Sequence, residues 1–416
     1  MNRSIYEVII IGAGHAGLSA SYYLKHLGLE HIVFERGRIG ETWRTQRWDN
    51  FKMLTPNRLN ALPGHATKFR QPDGFASAQE FVATLREYVN NFVLPISENS
   101  NVISVEKLPG SPVFSVKVSH DNEPVRTYDA WQVIVAPGMQ NEKLFPSFAR
   151  LVSRRIIQIH SSEYKNPTQL VEGTVLIVGS GQSGCQIADD LLEAGRSVVV
   201  ACTPQAFLPR TYRDKDIMDW MILCKVVDEP ISSDDPYLGG KNPVIETSNA
   251  DQGDASLRSL AKRGALIVGS LTNASGEAVS IADNASAVIK SVDKFTLSIK
   301  ELIDSYIIDN QLQIPPVTEG DESPVTVNAS DALNLNLQDH DITTIVWATG
   351  HTGNLNFLRL PIFDERGTVI QQSGVTAVDG LYVIGSPWQG LKKNAFIFGI
   401  KDDTSFVTNK IYSILR

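Results

Sequence analysis

Two copies of one glycine pattern, set far apart, constrain this chain more than anything else in it. The first is Gly12-Ala13-Gly14-His15-Ala16-Gly17, entered from the apolar run Val8-Ile9-Ile10-Ile11. The second is Gly179-Ser180-Gly181-Gln182-Ser183-Gly184, entered from Val175-Leu176-Ile177-Val178. In each, an apolar strand turns through glycines into a helix, leaving backbone N–H groups and a helix N-terminus to hold a pyrophosphate. A lone match is weak. Two in strand–helix context imply two dinucleotides on one chain, and the usual reason for that is electron transfer between them.

The 416 residues exceed what one core usually holds, so two or three domains are expected. A net charge of -8 argues against nucleic acid as a partner, because neutralising phosphates needs a basic face. No apolar run approaches the roughly 20 residues of a membrane span. The N-terminus enters a strand with no secretory h-region, so a cytoplasmic location is expected. Cys185, Cys202 and Cys224 form neither a C-x-x-C pair nor a metal spacing, which excludes a dithiol relay. Cys185 lies in the first turn of a helix, where the dipole lowers a thiol's pKa; as a small packing residue it needs no chemistry. His65, His120 and His340 share no ligand spacing, so no metal is expected.

The start reads as a β-α-β unit whose second strand ends at Glu35, 23 residues after Gly12. That is near the roughly 20-residue offset at which a carboxylate meets a ribose hydroxyl, as in FAD or NAD. Residues 39–75 read as a long ordered loop, 77–92 as a helix, and 101–105, 113–118 and 131–135 as short strands. The second β-α-β unit covers 174–203, and its second strand runs into Cys202-Thr203-Pro204-Gln205 with no acid. Arg210 and Arg213 follow, and guanidinium groups suit a ribose 2′-phosphate. The assignment is FAD first and NADPH second. Further helices are expected over 214–223, 255–263, 294–310 and 394–415, and a buried strand over 343–347. Asp189 and Asp190 fall mid-helix, with at least one expected on a solvated face. His15 reads as an incidental loop residue.

With both units identified, the chain resembles the class B single-component flavin-dependent monooxygenases: flavin-containing monooxygenases, YUCCA-like enzymes and bacterial flavoprotein monooxygenases. Gly12, Gly14, Gly17 and Glu35 match the FAD fingerprint. Gly40-Glu41-Thr42-Trp43 matches the family's G-G-T-W element except at Glu41, and Arg47, Trp48, Thr55 and Pro56 continue it. The resemblance implies that Trp43, Arg47, Trp48, Thr55 and Gly385 lie along FAD. It likewise implies that Gly179, Gly181, Gln182, Ser183, Gly184, Thr203, Arg210 and Arg213 serve NADPH. Ala348-Thr349-Gly350-His351 matches A-T-G-[YF] except at its histidine. In F-x-G-x-x-x-H-x-x-x-[YFW], His160 and Tyr164 occupy the last anchors, while Arg154 and Ile156 replace Phe and Gly. That departure favours the N-oxygenating and YUCCA-like side over Baeyer–Villiger chemistry.

The fold implied is α/β, with two Rossmann-like dinucleotide-binding domains. A discontinuous FAD domain, 1–155 and 341–416, surrounds an inserted NADPH domain, 156–340, with 231–253 as a loop excursion. The activity implied is NADPH-dependent insertion of one oxygen atom from O2 into a small organic substrate through a flavin peroxide. N- or S-oxygenation or hydroxylation is the expected type, and a homodimer is common among relatives. His160, Trp388, Lys393 and Asn394 are candidates to contact flavin or substrate, although a hinge hydrogen bond explains His160 equally well. Three other readings stay open: a flavin reductase or electron-transfer protein, an amine N-hydroxylase, and a nucleotide sensor without catalysis.

Overall fold

Consecutive β-branched residues bounded by glycine favour strands buried on both faces, and such strands pair in parallel. Strand β1 (Ile5–Ile11) does so: Val8, Ile9 and Ile10 are fully buried. The computed structural model describes residues 5–65, 71–107, 110–120, 123–230, 243–246, 255–315, 334–365, 367–385 and 390–416. Helix α1 (His15–His26) follows the first glycine loop and leads to β2 (His31–Phe34), which pairs parallel with β1. Helix α2 (Ala78–Phe92) begins in a capping box, in which Ser77 and Glu80 satisfy each other's backbone N–H groups. Strand β3 (Ile96–Ser97) adds to β2. Strands β4 (Ser100–Lys107), β5 (Phe114–His120) and β6 (Arg126–Val135) form an antiparallel meander, and β6 returns parallel to β1.

The chain then builds a second sheet from β7 (Ile157–His160), β8 (Thr174–Val178), β9 (Val198–Ala201), β10 (Leu266–Val268) and β11 (Ile342–Trp347), with α3 (Gln182–Glu193) after the second glycine loop. Its order is β10-β9-β8-β11-β7, parallel throughout. Strand β12 (Leu381–Val383) goes back beside β6, completing the order β3-β2-β1-β6-β12 within the first sheet, and α4 (Ile400–Leu415) packs on α1. One apolar cluster links the units, joining Val8, Ile10 and Leu18 to Ile177, Ile187 and Leu191.

The mixed α/β fold with parallel sheets is as expected, but several details differ. The strand 342–347 sits inside the second sheet, between β8 and β7. The helix expected from 294 begins at Ala285 and runs to Asp309. Of the excursion over 231–253, only 243–246 are described, and Val244–Glu246 pairs parallel with Phe207–Pro209. The rest of that excursion lies outside the described residues, as does Trp388. Asp189 and Asp190 are both buried rather than solvated, because each has a partner of its own: Arg263 for Asp189, Tyr164 and Asn50 for Asp190. Among the described residues, no helix is long and apolar enough to cross a membrane.

Candidate functional site

The two glycine loops repeat one geometry. Gly12 has φ +103°, and a Cβ there would stand 2.4 Å from the Ala136 carbonyl oxygen. Gly179 has φ +109°, and its Cβ would stand 2.5 Å from that of Ala348. Each first glycine thus lets the loop turn against the end of a neighbouring strand. The third glycines, Gly17 and Gly184, press on the first: a Cβ on either would lie 1.9 Å from the carbonyl oxygen of Gly12 or Gly179. The middle glycines differ, since a Cβ on Gly14 or Gly181 would meet nothing within 4 Å. These two are the N-caps of α1 and α3 and supply no capping side chain. Open space above uncapped N–H groups at a helix N-terminus fits a pyrophosphate.

A single cavity of about 770 Å³ reaches both loops, touching Gly12 and Gly14 on one side and Gly181, Gln182 and Ser183 on the other. Glu35 lies on its wall. Its carboxylate accepts from the N–H of Ala13 at 2.8 Å and of Gly37 at 3.0 Å. Burial raises its pKa, and these N–H groups oppose the rise. A carboxylate has about four acceptor sites, so capacity remains for a ribose hydroxyl.

The segment after β2, expected as loop over 39–75 but including a short helix at Glu41–Thr45, supplies the aromatic wall. Trp43, Arg47, Trp48, Phe51 and Thr55 all line the cavity. Trp43 packs edge-on against Phe81 at 5.0 Å, and Trp48 against Phe51 at 5.1 Å. Thr55 donates to the Asn60 side-chain oxygen at 2.5 Å. The Arg47 guanidinium rests over Trp43 and Phe51, 4.8 and 5.3 Å from the ring centres. It donates to Gln140 Oε1 at 2.7 Å, and burial lowers its pKa to about 10. Gly385 closes the wall near Ala16, whose Cβ its own would approach to 2.5 Å.

His15 and His351 also face this cavity. Burial lowers each imidazole to about 4; for His351 the neighbouring His160, Arg47 and Lys143 push the same way. Both are neutral at pH 7. The Nε2 of His351 is buried with no hydrogen-bond partner. His15, read from the sequence as incidental, is therefore on the site.

His160 is not on the cavity wall. It is fully buried, with Nε2 2.8 Å from the Gly350 carbonyl oxygen, Nδ1 2.9 Å from Ser162 Oγ and its ring 4.7 Å from that of His351. A carbonyl only accepts, so Nε2 carries the proton and Nδ1 accepts from Ser162. Its pKa is lowered chiefly by burial. These bonds tie the end of β7 to the turn after β11.

Thr203 follows β9 and is not on the cavity wall; it exchanges two hydrogen bonds with Ser180 of the second loop, its N–H donating to Oγ at 3.1 Å and its carbonyl accepting at 3.2 Å. Gln182 is held by the backbone of Ile245 at 3.0 and 2.9 Å. Arg210 and Arg213 do not reach the cavity. Arg210 is bound to Asp216 at 2.5 Å and to the Leu54 carbonyl at 2.8 Å; Arg213 is bound to Asp304 at 2.8 Å. Each guanidinium has a carboxylate partner, and that partnership turns it away from the loop. Lys393 likewise bridges Asp228 and Asp402, at 2.9 and 2.8 Å, off the wall. Asn394 is on the wall and buried.

Sequence reasoning left out Gln140, Asn141, Gln205 and Asn354, which line the cavity from loops without a motif. It noted His351 only as a departure from a motif. Among the described residues, no group of three or more His, Cys, Asp or Glu is placed to hold a metal ion.

Comparison with known proteins agrees with this arrangement. Residues 9–217 match the family model described as pyridine nucleotide-disulphide oxidoreductase. The chain is 31% identical to a protein of Geobacillus kaustophilus described as "Uncharacterized oxidoreductase CzcO-like", over 98% of this chain and 99% of that protein. It is 26% identical to the Arabidopsis thaliana protein described as "Probable indole-3-pyruvate monooxygenase YUCCA9", over 72% of each. A flavin-containing monooxygenase from Stenotrophomonas maltophilia has the same fold, with a TM-score of 0.68, 19% identity, and coverage of 99% and 100% of the two chains. Two uncapped glycine loops on one cavity, and a family match that spans both, make this chain a member of the pyridine nucleotide-disulphide oxidoreductase family, with flavin monooxygenases among its relatives.

Proposed function

We propose that this protein is an FAD- and NADPH-dependent monooxygenase acting on a small organic substrate. The observation that carries the reading is the shared cavity, because two dinucleotides held at its two loops would bring their reactive rings into one space. When bound, the cofactors supply the electrons that let one atom of O2 pass to the substrate while the other leaves as water. The chain's own residues do the rest. The N-termini of α1 and α3 hold the two pyrophosphates, and Glu35 takes a ribose hydroxyl at the first site. Trp43, Trp48 and Phe51 give a wall that excludes water. His15 and His351, both held below the ordinary imidazole range by burial, add no charge to the cavity at pH 7.

The FAD unit is formed by 1–155 with the segment after Trp347, and the NADPH unit lies between them. The preference for NADPH rests on the uncharged end of β9 and on Thr203, beside the second loop, rather than on Arg210 or Arg213. N- or S-oxygenation is favoured over Baeyer–Villiger chemistry by Arg154 and Ile156 in the interdomain motif.

The test is direct. Purified protein is expected to carry about one FAD and to consume O2 with NADPH, yielding an oxygenated product with amines or thioethers. Fast transfer to quinones with no oxygenated product would instead establish a reductase.

A further inference from the structure

The Arg47 guanidinium lies over the rings of Trp43 and Phe51 on the cavity wall, half-buried. Two of the five N–H donors of a guanidinium are used within the protein: Nη1 donates to the Gln46 carbonyl at 3.1 Å and Nη2 to Gln140 Oε1 at 2.7 Å. None of the described residues accepts from the other three, and Nε, which has no partner, is not fully buried. Burial alone lowers its pKa, with no carboxylate opposing it, and the value of about 10 leaves it charged at pH 7. Arg58, Arg210, Arg213, Arg258 and Arg263, also partly buried, each have a carboxylate. Arg36, the other arginine on the wall, follows Glu35 and is exposed to water. A charge held partly out of water without a counter-ion is costly unless a ligand brings the opposite charge. Gln140 extends the site. A guanidinium only donates, so Gln140 turns its oxygen to Arg47 and keeps its own NH2 group, on the cavity wall, without an acceptor.

Gln140 lies on the segment after β6, and His351 on the segment after β11. Asn141 joins the two, its Oδ1 accepting from the Asn354 N–H at 2.7 Å and its Nδ2 donating to the Asn354 carbonyl at 3.3 Å. Arg47 bonds to the first segment and stands near enough to the second to depress the pKa of His351. It is therefore placed where the two units meet. The helix N-termini proposed for the two pyrophosphates, and the end of β9 proposed for the 2′-phosphate, are elsewhere. No cofactor anion in that reading calls on Arg47, so the anion left for it is the substrate's. We propose that the substrate carries a carboxylate, and that the Arg47 guanidinium and the Gln140 amide receive it at this junction through charge-assisted hydrogen bonds. The inference rests on the monooxygenase reading for the fate of that substrate, whereas the anion site is measurable without turnover.

The probes are para-(methylthio)benzoate and para-(methylthio)benzamide, which share a thioether and differ in charge. Calorimetric titration of the full-length protein as isolated, with and without NADP+, is expected to show the carboxylate binding about tenfold more tightly than the amide. In Arg47→Met, whose side chain keeps an apolar stem over Trp43 and Phe51, that ratio should fall to within about twofold. Arg47→Lys keeps the charge without the fork and should retain part of the ratio, which keeps the test open if Arg47→Met fails to fold. A wild type that binds both probes equally, or neither, would overturn the inference. So would an Arg47→Met that keeps the ratio but loses affinity for FAD or NADP+, since that assigns the guanidinium to a cofactor phosphate. If the carboxylate is preferred but drives no O2 consumption with NADPH, the anion site stands and the monooxygenase reading falls.

Discussion

The phenol of Tyr164 donates to Oδ2 of Asp190 at 2.6 Å, and Asn50 donates to the other oxygen of the same carboxylate at 2.9 Å. Tyr164 follows β7, Asp190 lies on α3, and Asn50 belongs to the loop that forms the aromatic wall. One buried carboxylate therefore ties the second unit to the first. Hydrogen bonds to a charged group are worth about 1.5–3 kcal/mol. Tyr164→Phe is expected to lower stability by about that much in chemical denaturation. Combining it with Asn50→Ala should give a non-additive loss, since both serve Asp190.

If the two loops hold the proposed cofactors, the third glycines offer a way to switch off each site separately. Gly17→Ala and Gly184→Ala each place a methyl group 1.9 Å from a backbone carbonyl oxygen. Gly17→Ala is expected to yield protein without flavin. Gly184→Ala is expected to keep its flavin, to reduce normally with dithionite, and to fall below a tenth of the wild-type rate of reduction by NADPH. Stopped-flow absorbance of the flavin measures both.

Arg210 is expected to matter for stability and not for the choice of nicotinamide. Removing it leaves the largely buried Asp216 carboxylate without its cation, a loss that typically reaches about 3–5 kcal/mol. Arg210→Ala should therefore lower Tm markedly, while the ratio of kcat/KM for NADPH to that for NADH stays within twofold of wild type. Thr203→Asp is the contrasting variant. A carboxylate at the end of β9 should repel a 2′-phosphate and shift that ratio toward NADH at least tenfold.

His351 should make the protein acid-sensitive. Its imidazole titrates near 4 in the fold against an ordinary 6.5, so the unfolded chain binds more protons between those values. Its contribution to stability is complete above about 6.5 and is lost as the pH falls toward 4. In His351→Phe the decline of Tm over that interval should be shallower. An identical decline would show that His351 does not control it.

The glycine loops and Glu35 were legible because their geometry is local: a strand, a turn and a helix specify them within a few residues. Arg210 and Arg213 look the same in sequence whether they meet a phosphate or a carboxylate. Asp216 meets Arg210 across the hairpin formed by Thr211–Tyr212 and Lys215–Asp216, and Asp304 is brought to Arg213 by tertiary packing from 91 residues away. The burial of Asp189 escaped notice for the same reason, as Arg263 approaches from another helix end. Residues 343–347 were recognisable as a buried strand, but an apolar run does not say which sheet it joins. Asn394 is a candidate in the sequence only through the resemblance, because the carboxylate its amide donates to sits nine residues on, in the next helix.

The place of β11 has a consequence for how the molecule can be divided. It lies between β8 and β7, and Ala348, just beyond it, abuts Gly179 of the second loop. A fragment ending at residue 340 would have a gap in the middle of its sheet and an unbraced nucleotide loop. The first sheet similarly waits for β12 beside β6. During synthesis on a ribosome, the second sheet can close only once β11 has emerged, and the first only once β12 has. The two sheets are therefore interleaved along the chain and do not correspond to halves that could be expressed alone.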